Sequence, residues 1–422
     1  MFKLNHYPQS FKIAKVVPIF KPGKNAQLPC SYRPISLLSC ISKIFEKVIH
    51  FRLSKILQKN KTINNCQFGF RPKHNTTQQL ARIVNDIQIN YNKDKVTTMA
   101  LLDIKKAFDR VWIDGLIYKR IHYKIPKSLI LLIHSYLTNR ELLVQLKNTQ
   151  STRKLIAAGV PQGSILGPTL FNIFINDIPI FAKTNTALYA DDTAIYASSF
   201  SDQIASKQIQ IHINLLEKFY DKWKIKINAE KTQQIIFTRK FTDHKIWDKL
   251  RVYDNKITDE PHVKYLGTYI DTRLNFFKNT KYLISKASAA LKNMYSLMNR
   301  NSKLTPQNKV LMYKTIFRPI LTYAAPVWCH LSDTAFKPLE VFQNKCLRLA
   351  LNESRYARIV DLQERSATTS LRAFVNKLSN NFYSHQLNFN KLTRRITKFR
   401  SYNTPFRLKH KLSYQHLSIY DK

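Results

Sequence analysis

The most informative stretch of this sequence is Tyr189-Ala190-Asp191-Asp192, in which two adjacent carboxylates lie between the apolar runs 186–188 and 193–196. Two neighbouring negative charges repel each other, so a half-buried hairpin tolerates them only where another charge offsets theirs. A divalent cation provides that offset best. The pair therefore indicates a magnesium site on a β-hairpin.

A third carboxylate of the same kind occurs earlier in the chain. Asp103 ends an apolar run that begins at Met99. Carboxylates from neighbouring strands that converge on a pair of Mg²⁺ ions are what in-line phosphoryl transfer between nucleotides requires. An isolated Asp-Asp is more often a turn pair, and Asp103 could be an ordinary residue at the end of a strand. The surrounding sequence decides between these interpretations.

A glycine-rich loop lies between Asp103 and the aspartate pair. In the segment 159–168 (Gly-Val-Pro-Gln-Gly-Ser-Ile-Leu-Gly-Pro), three glycines and two prolines precede the apolar stretch 170–175. Such a loop lets the backbone approach a ligand closely and offers it amides and a helix N-terminus. It suits a template base and an incoming triphosphate, which favours the metal interpretation of the three aspartates.

Together these motifs resemble the reverse transcriptase of a non-LTR retrotransposon, closest to the jockey-like elements of animals. The Asp103 motif, the Gly-Val-Pro-Gln-Gly-Ser loop and Tyr-Ala-Asp-Asp occur in the order of that family. Further matching segments are 17–24, 31–38, Gln67-Phe68-Gly69-Phe70-Arg71, 223–228, Lys231-Thr232, Lys264-Tyr265-Leu266-Gly267, Leu321-Thr322-Tyr323 and 343–348. The resemblance extends to about residue 350.

The resemblance implies an α+β fold of the right-hand polymerase type. Residues 1–98 would form the fingers, 99–279 the palm, 280–350 a helical thumb, and 351–422 a basic helical or partly disordered C-terminal extension. The palm would include the Tyr-Ala-Asp-Asp hairpin and the Tyr-Leu-Gly segment. Apolar residues recur at helical spacing between 41 and 57 and again between 283 and 297, which predicts amphipathic helices there. We expect the first stripe to be core rather than binding surface: Ile41, Ile44, Phe45, Val48, Ile49 and Leu53.

The resemblance also implies the roles of residues around the metal. Asp103 and Asp191 would bridge two Mg²⁺ ions, for which Mn²⁺ could substitute. Asp192 would be a weaker ligand or a neighbouring charge, and the backbone carbonyl of Ile104 would complete the coordination. Lys231 resembles the lysine that protonates the departing pyrophosphate.

The incoming dNTP is expected to meet residues of the fingers and of the glycine-rich loop. Lys21, Lys24 and Arg33 are loop cations suited to a triphosphate, and the guanidinium of Arg33 can bind phosphate oxygens in a bidentate way. Either lysine alone could be ordinary surface charge. Gln162 and Gly163 would position the nucleotide.

Phe108 matches the position where the family keeps an aromatic ring against the sugar 2′ position, where it would exclude ribonucleotides. Plain core packing is the alternative for this side chain. Telomerase, an intron maturase and a viral RNA-dependent RNA polymerase are the competing enzymes. Tyr-Ala-Asp-Asp together with Phe108 favours DNA synthesis, because the viral enzymes usually carry Gly-Asp-Asp and do not need an aromatic gate.

Composition agrees with a nucleic-acid partner. The 69 basic and 26 acidic residues give a formal net charge of +43, which favours polyanions and predicts salt-dependent binding. We expect an RNA template, a DNA primer or an RNA–DNA hybrid, and dNTPs as partners, although biased lysine content could explain part of the charge. Five scattered cysteines do not indicate a disulfide framework or a zinc knuckle. The sequence lacks an apolar run of about 18 residues, so we expect no membrane segment.

The C-terminal part leaves two alternatives open. No ribonuclease H pattern of spaced carboxylates follows residue 350, and the tail from Lys391 to Lys411 has eight basic residues and no acidic one. It is either an RNA-binding or disordered extension or a solvated tail. We expect endonuclease activity to lie outside this chain, and an intracellular location in the nucleus and cytoplasm as a ribonucleoprotein. The alternative function is a truncated or co-opted element product acting as a non-enzymatic basic RNA-binding protein.

Overall fold

The computed structural model describes residues 2–21, 23, 25–239, 249–398 and 412–417. Lys24 and the part of the basic tail from 399 to 411 lie outside the described residues. The helices are α1 (Cys40–Lys59), α2 (Thr76–Asn92), α3 (Ile113–His122), α4 (Lys127–Leu137), α5 (Gly167–Phe174), α6 (Asp202–Lys222), α7 (Phe277–Asn293), α8 (Tyr295–Met298), α9 (Pro306–Met312), α10 (Arg318–Leu321), α11 (Ala325–Trp328), α12 (Asp333–Leu351), α13 (Ile359–Arg365), α14 (Leu371–His385) and α15 (Lys391–Lys398).

The strands form two sheets and two small hairpins. We call the sheet built from residues 13–37 and 140–156 the fingers sheet, and the sheet built from residues 96–102, 185–199, 233–237 and 258–259 the palm sheet. The strands are β1 (Ile13–Phe20), β2 (Tyr32–Leu37), β3 (Val96–Leu102), β4 (Arg140–Leu146), β5 (Thr149–Gln150), β6 (Lys154–Ile156), β7 (Asn185–Tyr189), β8 (Asp192–Ser199), β9 (Gln233–Phe237), β10 (Arg251–Val252), β11 (Asn255–Lys256), β12 (Thr258–Asp259), β13 (His262–Tyr265) and β14 (Thr268–Asp271). Within the described ranges, no helix has both the length and the apolar character needed to cross a membrane.

The palm sheet has the strand order β12-β9-β3-β8-β7 and is buried on both faces. Alternate residues of β3 point to opposite sides, so that Met99 packs in a core shared with α2 whereas Ala100 packs in a core shared with α6. This double cover explains why six of the seven residues of β3 are buried. The sheet fixes the ends of β3, β7 and β8, which is where the aspartates lie.

The fingers sheet is built on the β1–β2 hairpin, which pairs with β4 in parallel. β4 also pairs with β6, and the glycine-rich loop then runs from β6 to α5. Loop 159–166 therefore connects the fingers sheet directly to a helix beneath the palm.

Helix α1 is confirmed, but our prediction for its apolar stripe is wrong in part. Ile49 and Leu53 are buried, whereas Ile41 is 64% exposed, Ile44 is 66% exposed and Val48 is 39% exposed. The helix turns a face with two polar residues inward instead, at Ser42 and Glu46. The physical reason is the buried Glu46 carboxylate, which accepts hydrogen bonds at the start of α5 and so determines which face of α1 packs.

The C-terminal half of the chain is helical. α7 buries Leu283, Ala287 and Leu291, as its periodicity predicts. α9 continues into α10 through a π-helical segment, Tyr313–Phe317. Pro319 follows it inside the same helical run, and a widened turn accommodates a proline that lacks an N–H and clashes with the preceding turn. α11 and α15 pack against α2, which joins the helical half to the palm.

Candidate active site

The three predicted aspartates lie at one end of the palm sheet. Leu102, the last residue of β3, pairs with Thr193 of the neighbouring antiparallel strand β8. Asp103 follows directly, beside the β7–β8 turn in which Tyr189 pairs with Asp192. Asp103, Asp191 and Asp192 are thus brought together from segments nearly ninety residues apart.

The turn that carries Asp191 is held by a buried glutamine. Ala190 has a φ of 56°, a conformation that L-residues other than glycine rarely adopt. The Gln67 side-chain oxygen accepts hydrogen bonds from Ala190 N at 2.9 Å and from Gly69 N at 2.8 Å. A Cβ on Gly69 would lie 2.2 Å from Ala190 N, so only glycine allows this close approach. The segment 67–69 therefore fixes the turn that carries Asp191.

The carboxylates destabilise one another's charged forms. Burial, together with the charge of Asp103, raises the pKa of Asp191. Asp192 reaches solvent, yet partial burial and the charges of Asp191 and Asp103 raise its pKa to about 6. The site thus concentrates negative charge that the surrounding protein does not neutralise.

Asp103 has two polar neighbours from the segment before β9. Asn228 Nδ2 donates to Asp103 Oδ2 at 3.1 Å, and Asn228 N donates to the Asp103 backbone carbonyl at 2.7 Å. Lys231 Nζ lies 3.7 Å from the same Oδ2, with both side chains partly exposed. An exposed pair at this distance contributes little to stability. Lys231 is thus near the aspartates, as predicted, but it does not balance their combined charge.

The donor set fits a hard divalent cation. Carboxylate oxygens are the ligands that Mg²⁺ and Mn²⁺ prefer, and Asp103, Asp191 and Asp192 bring three carboxylates to one end of the sheet. In the part of the chain that the structure describes, no group of three or more His, Cys, Asp or Glu side chains forms a ready ligand cluster. Asp103 is engaged by Asn228 and Lys231 instead. Ile104 is buried and forms an isolated β-bridge with Ile227.

The glycine-rich loop is attached to the segment that follows Asp103. Val160 N donates to the Phe108 carbonyl at 2.8 Å, and Gln162 Nε2 donates to Asp109 Oδ1 at 2.9 Å. A Cβ on Gly159 would lie 2.7 Å from the Asp109 carbonyl oxygen. The loop and the segment after Asp103 are therefore held together by backbone and side-chain contacts.

The same loop contacts the fingers. Ser36 N of β2 donates to the Gln162 carbonyl at 2.8 Å. Gly163 has a φ of 118°, and a Cβ there would lie 2.5 Å from the Ser36 carbonyl oxygen. Arg33 lies exposed three residues earlier on β2, and Lys21 follows β1 in the same hairpin. Gln162, Gly163, Arg33 and Lys21 thus belong to one connected region.

Phe108 is half-buried and stacks on Phe171 of α5, with ring centroids 4.8 Å apart. Phe171 is fully buried. One side of the Phe108 ring is therefore supported by the core, and its contact with a sugar stays a prediction.

Three positioning residues were missed in the sequence: Gln67, Asn228 and Glu46. Gln67 and Asn228 lie inside matching segments but were given no role. Glu46 Oε2 accepts from Ser164 Oγ and from Ile165 N, both at 2.7 Å. The negative charge of this carboxylate also interacts favourably with the partial positive charge at the N-terminus of α5. The one local signal for Glu46 was a single acidic residue in an otherwise basic helix.

Comparison with known proteins agrees with this geometry. Residues 19–270 match the family described as reverse transcriptase (RNA-dependent DNA polymerase). The probable RNA-directed DNA polymerase from transposon X-element of Drosophila melanogaster is 33% identical over 90% of this chain and 42% of its own length. The RNA-directed DNA polymerase from mobile element jockey of the same species is 33% identical over 85% of this chain and 40% of its own length. The chain thus spans about two-fifths of the length of these relatives.

Among solved structures, telomerase from Candida tropicalis in complex with a fragment of telomeric RNA is 13% identical, with a TM-score of 0.45, over 93% of this chain and 64% of its own. The predicted α+β right-hand polymerase fold is confirmed by the family match. Because that match covers more than half of the chain and includes all three aspartates and the glycine-rich loop, this chain belongs to the reverse transcriptase (RNA-dependent DNA polymerase) family.

Proposed function

We propose that this chain is an RNA-directed DNA polymerase that transfers nucleotides from dNTPs to a primer 3′-hydroxyl on an RNA template. The observation that supports this most strongly is the convergence of Asp103, Asp191 and Asp192 at one end of the palm sheet, where burial and the neighbouring carboxylates raise the pKa of Asp191 and Asp192. Such a carboxylate group serves phosphoryl transfer between nucleotides. The names of the mobile-element relatives agree with this activity.

Members of the reverse transcriptase family generally use divalent metals. For this chain the proposed cofactor is a pair of Mg²⁺ ions, with Mn²⁺ as a substitute. Asp103 and Asp191 would hold the ions, Asp192 would assist, and the Ile104 carbonyl would complete the ligand set. When bound, such ions lower the pKa of the attacking hydroxyl and neutralise charge on the triphosphate.

Lys231 has two successive tasks in this scheme. Before substrate binds, its ammonium forms an exposed ion pair with Asp103, in which Nζ lies 3.7 Å from Oδ2. Its side chain is 66% exposed, so it can leave Asp103 without a large desolvation cost. It is then free to donate a proton to the departing pyrophosphate, in the role of a general acid.

The incoming dNTP is assigned to the region that joins the fingers to the Asp103 motif. Arg33 and Lys21 would bind the triphosphate, and Gln162 with Gly163 would position the nucleotide. Gln162 is already oriented, because its side chain donates to Asp109 and its carbonyl accepts from Ser36. Phe108, supported from behind by Phe171, would contact the sugar 2′ position.

The nucleic-acid partners are an RNA template and a DNA primer or RNA–DNA hybrid. The net charge of +43 supports phosphate binding and predicts that affinity falls steeply with salt.

Primer extension tests the proposal. The native chain, with an RNA template, a DNA primer, dNTPs and Mg²⁺, should extend the primer, whereas Asp191→Asn should not. Asp202→Asn is the matched control, because Asp202 is the first residue of α6 and lies outside the site. Asp191→Asn and Asp202→Asn should bind RNA equally well. A folded native chain that binds RNA but does not extend the primer would favour the non-enzymatic RNA-binding alternative.

A further inference from the structure

The C-terminal extension has no role in the scheme above, yet its described residues pack along α2. Leu387 and Ile396 are each 1% exposed and belong to the core that α2 shares with the palm sheet. In the last turns of α2, Gln88 Oε1 accepts hydrogen bonds from Ser413 N at 3.1 Å and from Ser413 Oγ at 3.0 Å. The extension is thus joined to the C-terminal part of α2.

The beginning of α2 is joined to the extension through its capping residues. Asn75 precedes the helix and forms a capping box with Gln78. Gln78 Nε2 also donates to the Gln386 carbonyl at 2.6 Å, and Asn75 Nδ2 donates to Gln386 Oε1 at 3.3 Å. The residue that follows α14 is thereby fixed against the start of α2.

Asn390, four residues further on, forms three hydrogen bonds through its side-chain amide and is 4% exposed. Its Oδ1 accepts from Leu392 N at 2.8 Å and so caps α15. Its Nδ2 carries two hydrogens, one of which goes to the Asn65 carbonyl at 3.0 Å. The other is directed to His74 Nε2, also at 3.0 Å. One side chain of the extension thus holds two points of the segment that leads into α2.

The direction of the bond to His74 follows from the other nitrogen of the ring. His74 Nδ1 lies 2.8 Å from the Pro72 carbonyl oxygen, which can only accept. The ring proton is therefore on Nδ1, and Nε2 accepts from Asn390. Burial lowers the pKa of His74, which favours this neutral form of the ring.

The two contacts of Asn390 enclose segment 66–68. Asn65 directly precedes this segment. The His74 ring meets the fully buried Phe68 ring edge-on, with centroids 4.9 Å apart. The segment is thus held at its start through the backbone and at its end through a ring contact.

This segment in turn borders β7 and the turn that follows it. Phe68 N donates to the Leu188 carbonyl at 2.9 Å, and Leu188 N donates to the Cys66 carbonyl at 3.0 Å. The segment therefore adds to the open edge of the palm sheet. At its centre, Gln67 Oε1 accepts from Ala190 N. A displacement of this segment would displace the turn as well.

Capping of α15 requires only the oxygen of Asn390, and serine or aspartate would provide one equally well. The amide nitrogen serves segment 66–68 alone. We propose that Asn390 is a positioning residue for nucleotide transfer, which holds segment 66–68 from the C-terminal extension and, through it, the turn that carries Asp191. This inference rests on the proposed function.

Asn390→Ser tests the inference in the full chain, because it keeps a capping oxygen and removes the amide that donates to Asn65 and His74. Each lost hydrogen bond changes a local opening equilibrium by about twofold to tenfold. Amide hydrogen exchange of the ion-free protein should therefore be about tenfold faster in residues 186–192. Exchange in α6 should be unchanged.

The same variant should lower kcat for single-nucleotide incorporation by about tenfold, which is less than the loss expected for a shift of about 1 Å in the reacting groups. The KM for dNTP should stay within error of the native value, because none of the residues assigned to the dNTP belongs to segment 66–68. Incorporation is measured per folded enzyme, well below the melting temperature.

Two further variants separate positioning from stability. Asn390→Ala removes the cap as well as the amide, so it should melt at a lower temperature than Asn390→Ser but match it in kcat and in the exchange of residues 186–192. Ser370→Ala is the matched control, since Ser370 Oγ accepts from Ala373 N at 3.2 Å and caps α14 in the same extension. It should lower the melting temperature and change neither kcat nor that exchange.

Two results overturn the inference while primer extension by the native chain stands. One is unchanged exchange of residues 186–192 in Asn390→Ser. The other is a kcat that follows the melting temperature across all three variants, because stability alone would then explain the loss. Absence of extension by the native chain overturns the proposed function, and the catalytic role of Asn390 with it.

Discussion

The hydrogen bonds of Gln67 offer a sharp test of how the active-site turn is held. Gln67→Met keeps an unbranched side chain of similar length but removes the oxygen that accepts from Ala190 N and Gly69 N. Gln67 is 2% exposed, so both donors would be left without a partner in a buried site. Each such loss costs about 1–3 kcal/mol. We expect the free energy of unfolding to fall by about 2–4 kcal/mol, the lower values applying if the turn relaxes.

Relaxation of the turn also affects chemistry. Ala190 holds a left-handed conformation that costs about 1–2 kcal/mol, and without Gln67 that conformation loses its support. A shift of about 1 Å in reacting groups can lower the rate by about 100-fold. We therefore expect kcat for single-nucleotide incorporation to fall by about two orders of magnitude in Gln67→Met.

Gln79→Met is the matched control. Gln79 is also buried, and its Nε2 donates to the carbonyls of Cys66 and Leu188. Both carbonyls accept a second, backbone hydrogen bond, so the control should lose stability without moving the turn. Incorporation is measured under single-turnover conditions, well below both melting temperatures, per folded enzyme. Equal residual activity in the two variants would refute the role of Gln67, because activity would then follow stability alone.

Three further predictions follow from individual side chains. Asp192→Asn should stabilise the ion-free protein by about 1 kcal/mol at pH 8, a value reduced for solvent exposure. Because the pKa of Asp192 in the folded protein, about 6, lies above the ordinary value of 3.8, this gain in stability should fade as the pH falls through 6. Equal gains in thermal melts at pH 8 and pH 5 would contradict the prediction. Phe108→Ala should lower the ratio of dNTP to rNTP incorporation by about tenfold or more. An unchanged ratio would contradict a role in sugar selection and would mean that Phe108 only packs on Phe171. Glu46→Ala should lower the free energy of unfolding, measured by urea titration, by about 3 kcal/mol, because the Ser164 hydroxyl and Ile165 N–H lose a buried acceptor. Ser42→Ala is the control, since Ser42 Oγ lies 3.5 Å from Glu46 Oε1, and it should lower the free energy of unfolding less.

The grouping of the three aspartates could be predicted because the motifs that contain them are short and have their own physical meaning. A half-buried Asp191-Asp192 pair requires a counter-charge, and the strand before Asp103 is visible as an apolar run. The order of these motifs then identified the family and its fold. Distances between side chains are not contained in such motifs, which is why the engagement of Asp103 by Asn228 could not be foreseen.

The errors and omissions arise from contacts between distant parts of the chain. Periodicity showed that residues 41–57 form a helix, but the inward face is determined by Glu46, whose partners lie 118 and 119 residues away. Gln67 likewise contacts Ala190 across 123 residues. A helical stripe of Ile41, Ile44 and Val48 contains no information about either contact.

Binding of Mn²⁺ tests most directly the claim that aspartates from two strands form one metal site. Electron paramagnetic resonance measures free Mn²⁺ in titrations of the native chain, Asp103→Asn, Asp191→Asn and the double variant, without any dependence on turnover. The native chain should bind Mn²⁺ in competition with Mg²⁺, and each single variant should lose most of that affinity. The double variant should be little worse than either single variant, since both remove ligands of one site. Unchanged Mn²⁺ affinity in Asp103→Asn or in Asp191→Asn would contradict a shared metal site and the polymerase chemistry built on it.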